Sequence, residues 1–304
     1  MTKAKRMRAL ITDPQICVSP GVYDGYSVRL AEAAGYATAS TSGAGIANSR
    51  LGKSESLGVM SLLENVDACR AIAGAVDIPV MADADTGYGN AVTVFQTAQY
   101  FEAAGVVGIN IEDQSYPKRC GHYAGKELID AREMAKKIEA AVSARRDSDF
   151  IIVARTDAIA VEGIEGALRR AKLYAQAGAD MIFPDAVKTE EQIKRFINDV
   201  GIPITINMGL GIRSRATTPL IPMKRLEAIG VARVSLPRML PAAAIAGMKR
   251  ALELMRHSID SGETIDRPDL LVGVDEIMAL IGDDKVSALE EQFLLPEQLQ
   301  KKYG

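Results

Sequence analysis

The stretch AVTVFQTAQYFEAAGVVGINIED (residues 91–113) contains one full copy of the unit that recurs along this chain. A segment of helical character ends in Ala-Ala-Gly, and a short apolar and β-branched run, VGINIE, follows at once. Gly105 stands where a helix needs a left-handed residue before the chain enters a strand. The run ends in two acids, Glu112 and Asp113.

The same punctuation returns as AEAAGYA, AQAGADM and EAIGVAR, so Gly35, Gly105, Gly178 and Gly230 mark helix-to-strand joints rather than a ligand loop. Eight strand candidates result: ICVSPG, YATASTS, IPVMAD, VGINIE, FIIVAR, DMIFPD, IPITIN and ARVSLP. Helix-like stretches such as SVRLAEAAG and IEGALRRAKLYAQAG lie between them. Strands alternating with helices indicate a parallel sheet with helical crossovers. Eight of them without a Pro/Gly/Ser linker predict a single (β/α)8 TIM barrel over a doubly wound sheet, since such barrels run to about 250 residues. Beyond about residue 250 the pattern offers apolar helical faces and no further strand. The expectation is one barrel domain over 1–304, whose C-terminal helices (about 250–304) pack on the barrel or on a neighbouring subunit.

Composition narrows the function classes. The chain has 304 residues, 48% hydrophobic and 25% charged, the profile of a soluble globular protein. A net charge of −3 argues against nucleic-acid binding and membrane-surface attraction. Three scattered cysteines, Cys17, Cys69 and Cys120, argue against a disulfide framework and for a reducing compartment. The basic start lacks an apolar signal core, and runs such as MLPAAAIAGM are too short to cross a bilayer. A cytoplasmic protein is expected.

In such a barrel the C-terminal strand ends carry the site. After IPVMA comes DADTGYGN, where Asp83 and Asp85 would project to one face of an extended strand. Two such carboxylates repel unless a cation or a shared proton relieves them. Glu112 adds a further acid at the next strand end. Oxygen donors without a nearby His suit a hard cation, Mg2+ or Mn2+; zinc is disfavoured because no three-His or Cys-rich set exists. Solvated loop acids or helix caps are the plainer alternative.

The stretch YPKRCGHYAG (116–125) places Cys120 and His122 two apart. Half a zinc site, a nucleophile with its base, a thiol proton donor tuned by Lys118, Arg119 and His122, or an ordinary loop cysteine are all open on spacing alone. Arg155, ending the fifth strand run, needs a carboxylate of protein or substrate. Asp185 and Asn207 end the sixth and seventh, and the small residues of TSGAG let backbone N–H groups approach an anion. The set suits a small anionic carboxylate bound through a metal.

In order, SGAG, DADTGYGN, NIEDQ, KRCGH, ARTDA and FPDA resemble the isocitrate lyase/phosphoenolpyruvate mutase superfamily over about residues 18–250, nearest the methylisocitrate lyase and 2,3-dimethylmalate lyase group. The resemblance implies a Mg2+-dependent barrel that cleaves a carbon–carbon bond in 2-hydroxy di- or tricarboxylates. It implies that Asp83 and Asp85 hold the metal directly or through water, with Glu112 in support. Ser42, Gly43 and Ala44 would bind the oxo-acid half, Arg155 a carboxylate, and Asp185 and Asn207 would line the site. Cys120 would protonate the carbanion, with Gly121 and His122 beside it. A homo-oligomer, commonly a tetramer exchanging C-terminal helices, is implied as well.

Departures bear on substrate choice. Ser40 stands where the family usually has an aromatic residue, and Ala242 where methylisocitrate lyases carry an Arg. The seventh loop brings Arg213 and Arg215, either of which could replace that anion grip. Asp185 replaces the more usual Glu, and Glu55 is out of register with the family's acid and is left out of the site. Oxaloacetate hydrolysis or decarboxylation, phosphonopyruvate chemistry, disfavoured by Cys120, and a non-catalytic barrel are the competing readings.

Overall fold

The computed structural model describes residues 1–119, 125–210 and 218–303. All eight expected runs are strands: β1 (Cys17–Val22), β2 (Ala39–Thr41), β3 (Val80–Asp83), β4 (Gly108–Glu112), β5 (Ile151–Thr156), β6 (Met181–Pro184), β7 (Thr205–Asn207) and β8 (Arg233–Leu236). They pair in parallel in the order β6-β5-β4-β3-β2-β1-β8-β7. A parallel bridge between Ile182 and Ile204 joins β6 to the segment entering β7 and brings the ring to closure. The fold is an α/β TIM barrel, as the strand count predicts.

The unit at 91–113 forms for local reasons. The Asn90 side chain accepts from the Val92 and Thr93 N–H groups and starts the helix Ala91–Ala103. Val94, Thr97, Ala98 and Phe101, three and four apart, are buried along one face of that helix. The chain then turns through Gly105 at φ 88° into β4. Gly35, Gly178 and Gly230 adopt φ of 81°, 98° and 90° at the equivalent joints, a region that costs a side chain steric strain.

Two apolar clusters fix which end of the barrel is open. One lies between the strands and the surrounding helices. The other unites Ala4, Met7 and Ile11 of the helix Lys3–Thr12 with Cys17, Met81, Val107, Ile151, Val153 and Met181. Most of these lie at or near the strands' N-terminal ends, so the chain's first helix plugs that end of the barrel. Polar residues at the opposite, C-terminal ends are left to line a pocket.

The chain divides into two compact units, Met1–Ala242 and Ala243–Gly304. The second contains most of the helix Met239–Ser261 and the helices Val274–Ile281, Asp284–Phe293 and Pro296–Tyr303. Its Ile245, Met248, Leu252, Met255 and Ile259 are exposed and recur at helical spacing, forming one apolar stripe. No described helix is long and apolar enough to cross a membrane.

Candidate active site

A pocket of about 70 Å³, room for roughly five waters, opens among the C-terminal ends of the strands. Ser42, Ala44, Asp83, Asp85, Glu112, Arg155, Asp185 and Asn207, all expected from the sequence, line it together. Gly43 takes part through its backbone, donating to Asp83 Oδ2 at 3.3 Å. Cys120, Gly121, His122, Arg213 and Arg215 lie outside the described residues. Ala242 is exposed and is not among the residues lining the pocket.

The acid pair is assembled by a turn rather than by strand pleat, which corrects the geometric reason given above. β3 ends at Asp83, and Asp85 sits at φ 49°. Its N–H folds back to donate to Asp83 Oδ1 at 3.0 Å. The Asp83 N–H in turn donates to Thr41 Oγ1. Tyr88 donates to Asp85 Oδ2 at 3.0 Å and is itself held by Asn65. Burial pushes the Asp85 carboxyl above its usual range, against the pull of Lys118. A Cβ at Gly43 would lie 2.7 Å from Asp83 Oδ2, so a side chain there would push the Asp83 carboxylate out of place.

Lys118 is the counter-ion of this wall. Its Nζ lies 2.6 Å from Asp85 Oδ1, 3.4 Å from Glu55 Oε2 and 3.8 Å from Glu112 Oε2. Burial works against the ammonium, but these carboxylates outweigh it and hold its pKa well above that of an ordinary lysine. Glu55 therefore does line the site, contrary to its omission from the expected set. Out-of-register spacing hid it, because a 3-10 turn over Glu55–Leu57 brings it back to the pocket.

Arg155 is the hub of the opposite acids. Nε and Nη2 donate to Asp157 at 2.9 and 3.1 Å, Nη1 lies 3.2 Å from Glu112, and Nη2 lies 3.5 Å from Asp185. Lys126 adds contacts to Asp157 at 2.7 Å and Asp185 at 3.3 Å. Burial would raise Asp157, but Arg155 and Lys126 outweigh it and hold its carboxyl below the usual range. Asp157 was legible beside Arg155 in ARTDA; nothing in the sequence singles out Lys126. Asp113, the second acid of the opening stretch, turns away from the pocket. It accepts from Thr156, the Asp157 N–H and Tyr174 at 2.8–2.9 Å, a structural role. Arg238, two residues beyond the end of β8, lines the pocket with a 3.7 Å ion pair to Glu55, a cation that the resemblance did not single out.

The donor set bears on a metal. Both Glu112 carboxylate oxygens are buried without a hydrogen-bond donor, and burial pushes this carboxyl up to about 8 despite Arg155 and Lys118. Among the described residues no three His, Cys, Asp or Glu side chains converge closely enough to hold one ion. Oxygen donors that crowd together without forming a closed cage fit a hard cation keeping part of its water shell.

The match to the family "Phosphoenolpyruvate phosphomutase" spans residues 7–256. The chain is 36% identical over 293 residues to 2,3-dimethylmalate lyase of Eubacterium barkeri, covering 96% of this chain and 99% of the relative. It is 39% identical over 295 residues to 2-methylisocitrate lyase of Aeropyrum pernix, covering 95% and 92%. The structure of oxaloacetate acetylhydrolase in complex with the inhibitor 3,3-difluorooxalacetate superposes with a TM-score of 0.88 at 29% identity, covering 96% of this chain and 97% of that one. With this sequence match along most of its length, the same barrel and enzyme relatives that are lyases, the chain belongs to the phosphoenolpyruvate mutase/isocitrate lyase superfamily.

Proposed function

We propose that this chain is a divalent-metal-dependent carbon–carbon lyase that cleaves a 2-hydroxy di- or tricarboxylate, of the methylisocitrate or alkylmalate type, to a 2-oxo acid and a carboxylic acid. The observation that carries the reading is the crowding of Asp83, Asp85 and Glu112 at one wall of a small polar pocket, with cations ranged around them. Asp83 and Asp85 would hold the metal, Mg2+ or Mn2+, with Glu112 in support. When bound, it would supply Lewis-acid polarisation of the substrate's 2-oxygen.

The rest falls to the protein. The amide-rich start of the helix Gly43–Leu51, capped by Ser42, faces the pocket and favours the anionic oxo-acid half. Arg155, already engaged by Asp157, orients Glu112 and Asp185 and lends positive charge to the carboxylate that develops negative charge. Arg238 at the pocket wall is positioned for a distal carboxylate. Cleavage turns the hydroxyl carbon into a carbonyl as the carbon–carbon bond breaks. One proton leaves oxygen and one is taken up at carbon. From its place in KRCGH, Cys120 is the proposed donor to carbon.

The test is a cleavage screen over methylisocitrate, isocitrate, dimethylmalate and other alkylmalates, with the 2-oxo product trapped as a hydrazone. Release of pyruvate or glyoxylate in stoichiometry with the carboxylic acid supports the reading, with Cys120→Ser about 100-fold slower or worse. No cleavage of any member removes it. A second reading, hydrolysis of oxaloacetate, draws on the likeness to oxaloacetate acetylhydrolase and predicts oxalate plus acetate instead.

We further propose that the chain forms a homo-oligomer, commonly a tetramer in this group, through the apolar stripe Ile245–Ile259. Light scattering giving a monomer at micromolar concentration would remove that expectation.

A further inference from the structure

Three cations of the pocket region are matched by protein carboxylates: Lys118 by Asp85, Arg155 by Asp157, and Lys126 by Asp157 and Asp185. Arg233 is different. It is 1% exposed and lies on β8 two residues before pocket-lining Ser235, on the same strand face. Among the described residues its guanidinium meets no carboxylate. It donates from Nη2 to Ser40 Oγ and from Nη1 to Thr205 Oγ1 at 3.3 Å, while Nε finds no acceptor. Burial lowers its pKa, and the neighbouring charged form it senses is that of Cys17, its partner in the β1–β8 register. A buried charge without a counter-charge is costly. Here that cost is incurred directly beneath a pocket.

Ser40 connects the charge to the pocket, which it lines. Its Oγ also lies 2.6 Å from Ser19 Oγ, and Ser19 is fully buried. A hydroxyl has one proton to donate and two acceptor sites. If Ser40 donated to Ser19, the Ser19 proton would be left buried without an acceptor, since Ser40 is its one described partner. If Ser19 donates, both buried donors are satisfied, and Ser40 accepts from Arg233 and Ser19 together. Its own O–H is then free to point into the pocket. The walls are thereby of opposite character: carboxylates on β3 and β4, and hydroxyl and amide groups backed by a guanidinium on β2, β7 and β8.

We propose that Arg233 is a positioning residue which, through Ser40, presents a hydrogen-bond donor and an uncompensated positive charge to the pocket floor, so that an anionic oxygen of the substrate seats against Ser40. The proposal rests on the carboxylate-lyase reading above and names the part of the pocket that selects the anion. It also gives Ser40 a role other than accepting the hydroxyl proton, for which its Oγ is poorly placed with a cation already on it.

Calorimetric titration in Mg2+ buffer with oxalate, and with oxamate as its singly charged isostere, tests this. The proteins are the wild type, Arg233→Met, Ser40→Ala and the double variant. Wild type is expected to prefer oxalate. Arg233→Met should weaken oxalate about tenfold or more, the scale of a charge-assisted hydrogen bond, and oxamate much less. Ser40→Ala should do the same, and the double variant should lose no more than about twofold beyond the weaker single one. Equal losses for both probes, additive losses, or no loss overturn the proposal. Should Arg233→Met fail to fold, Arg233→Gln and Ser40→Ala decide it, and unchanged oxalate preference in Ser40→Ala overturns it. Wild type that binds neither probe overturns the carboxylate-lyase reading itself, and this proposal with it.

Discussion

Replacing Arg155 by Met should destabilise the barrel more than any other single change in the pocket. Its guanidinium lies 2.9–3.5 Å from three buried carboxyl groups, Asp157, Glu112 and Asp185, and holds Asp157 most closely. Met keeps much of the volume and removes the charge. Breaking a buried ion pair by taking away one partner costs about 3–5 kcal/mol, because the other charge stays behind unpaired. At about 2–4 °C per kcal/mol for a domain of this size, the melting temperature should fall by roughly 6–20 °C. The pH dependence has a definite sign. Asp157 is held below the usual carboxylate range by Arg155 and Lys126, so its contribution is present above the unfolded value of about 3.9 and lost as pH falls below it. The gap between wild type and Arg155→Met should therefore stay wide from pH 7 down to about pH 4 and only begin to narrow below it. Adding Asp157→Asn to Arg155→Met removes one of the two carboxylates then left to share Lys126 and should recover part of the loss at pH 7. The assay is thermal unfolding by circular dichroism across that pH range. An Arg155→Met protein melting within about 2 °C of wild type, or a double variant no more stable than the single one, would refute the reasoning.

Three further outcomes follow from the same geometry. Gly43→Ala puts a methyl group 2.7 Å from Asp83 Oδ2 and should cost about 1–3 kcal/mol while weakening Mg2+ binding by calorimetry; unchanged affinity would detach Asp83 from the metal. Because burial raises the Glu112 carboxyl to about 8, the folded protein in EDTA holds a proton that the unfolded chain has released above about 4.3. Its stability should therefore fall as pH rises from about 4.5 to about 8, and Glu112→Gln should flatten that slope in melting curves. Cys17 and Cys69 are buried, and burial pushes the Cys69 thiol up to about 12, so both should resist a thiol reagent at pH 8 until urea unfolds the chain. Rapid labelling of either in the native protein contradicts the packing.

The fold was legible because each helix-to-strand joint announces itself: the Gly after Ala or Ile carries a positive φ that other residues adopt at a cost. Strand ends were legible for a related reason, since Asp83, Glu112, Arg155, Asp185 and Asn207 each interrupt an apolar run at the mouth of the barrel. What escaped depends on where loops return. Glu55, Lys118 and Lys126 reach the pocket from segments whose path no periodicity predicts. Asp113 adjoins Glu112 yet faces the opposite way, because successive residues at a strand end alternate. Arg233 was concealed inside ARVSLP, read as a strand of the core; its guanidinium is intelligible only once Ser40 and Ser19 from two other strands stand next to it.

The central claim is that acids at the β3 and β4 ends hold a divalent ion on which cleavage of a 2-hydroxy acid depends. Its most direct test is the rate of 2-oxo acid release from the best substrate of the cleavage screen, after exhaustive EDTA treatment and again after adding Mg2+. The account predicts loss of turnover in EDTA, recovery with Mg2+, and no such recovery in Asp85→Asn. Turnover that persists in metal-free buffer, or Asp85→Asn recovering as fully as wild type, would contradict it.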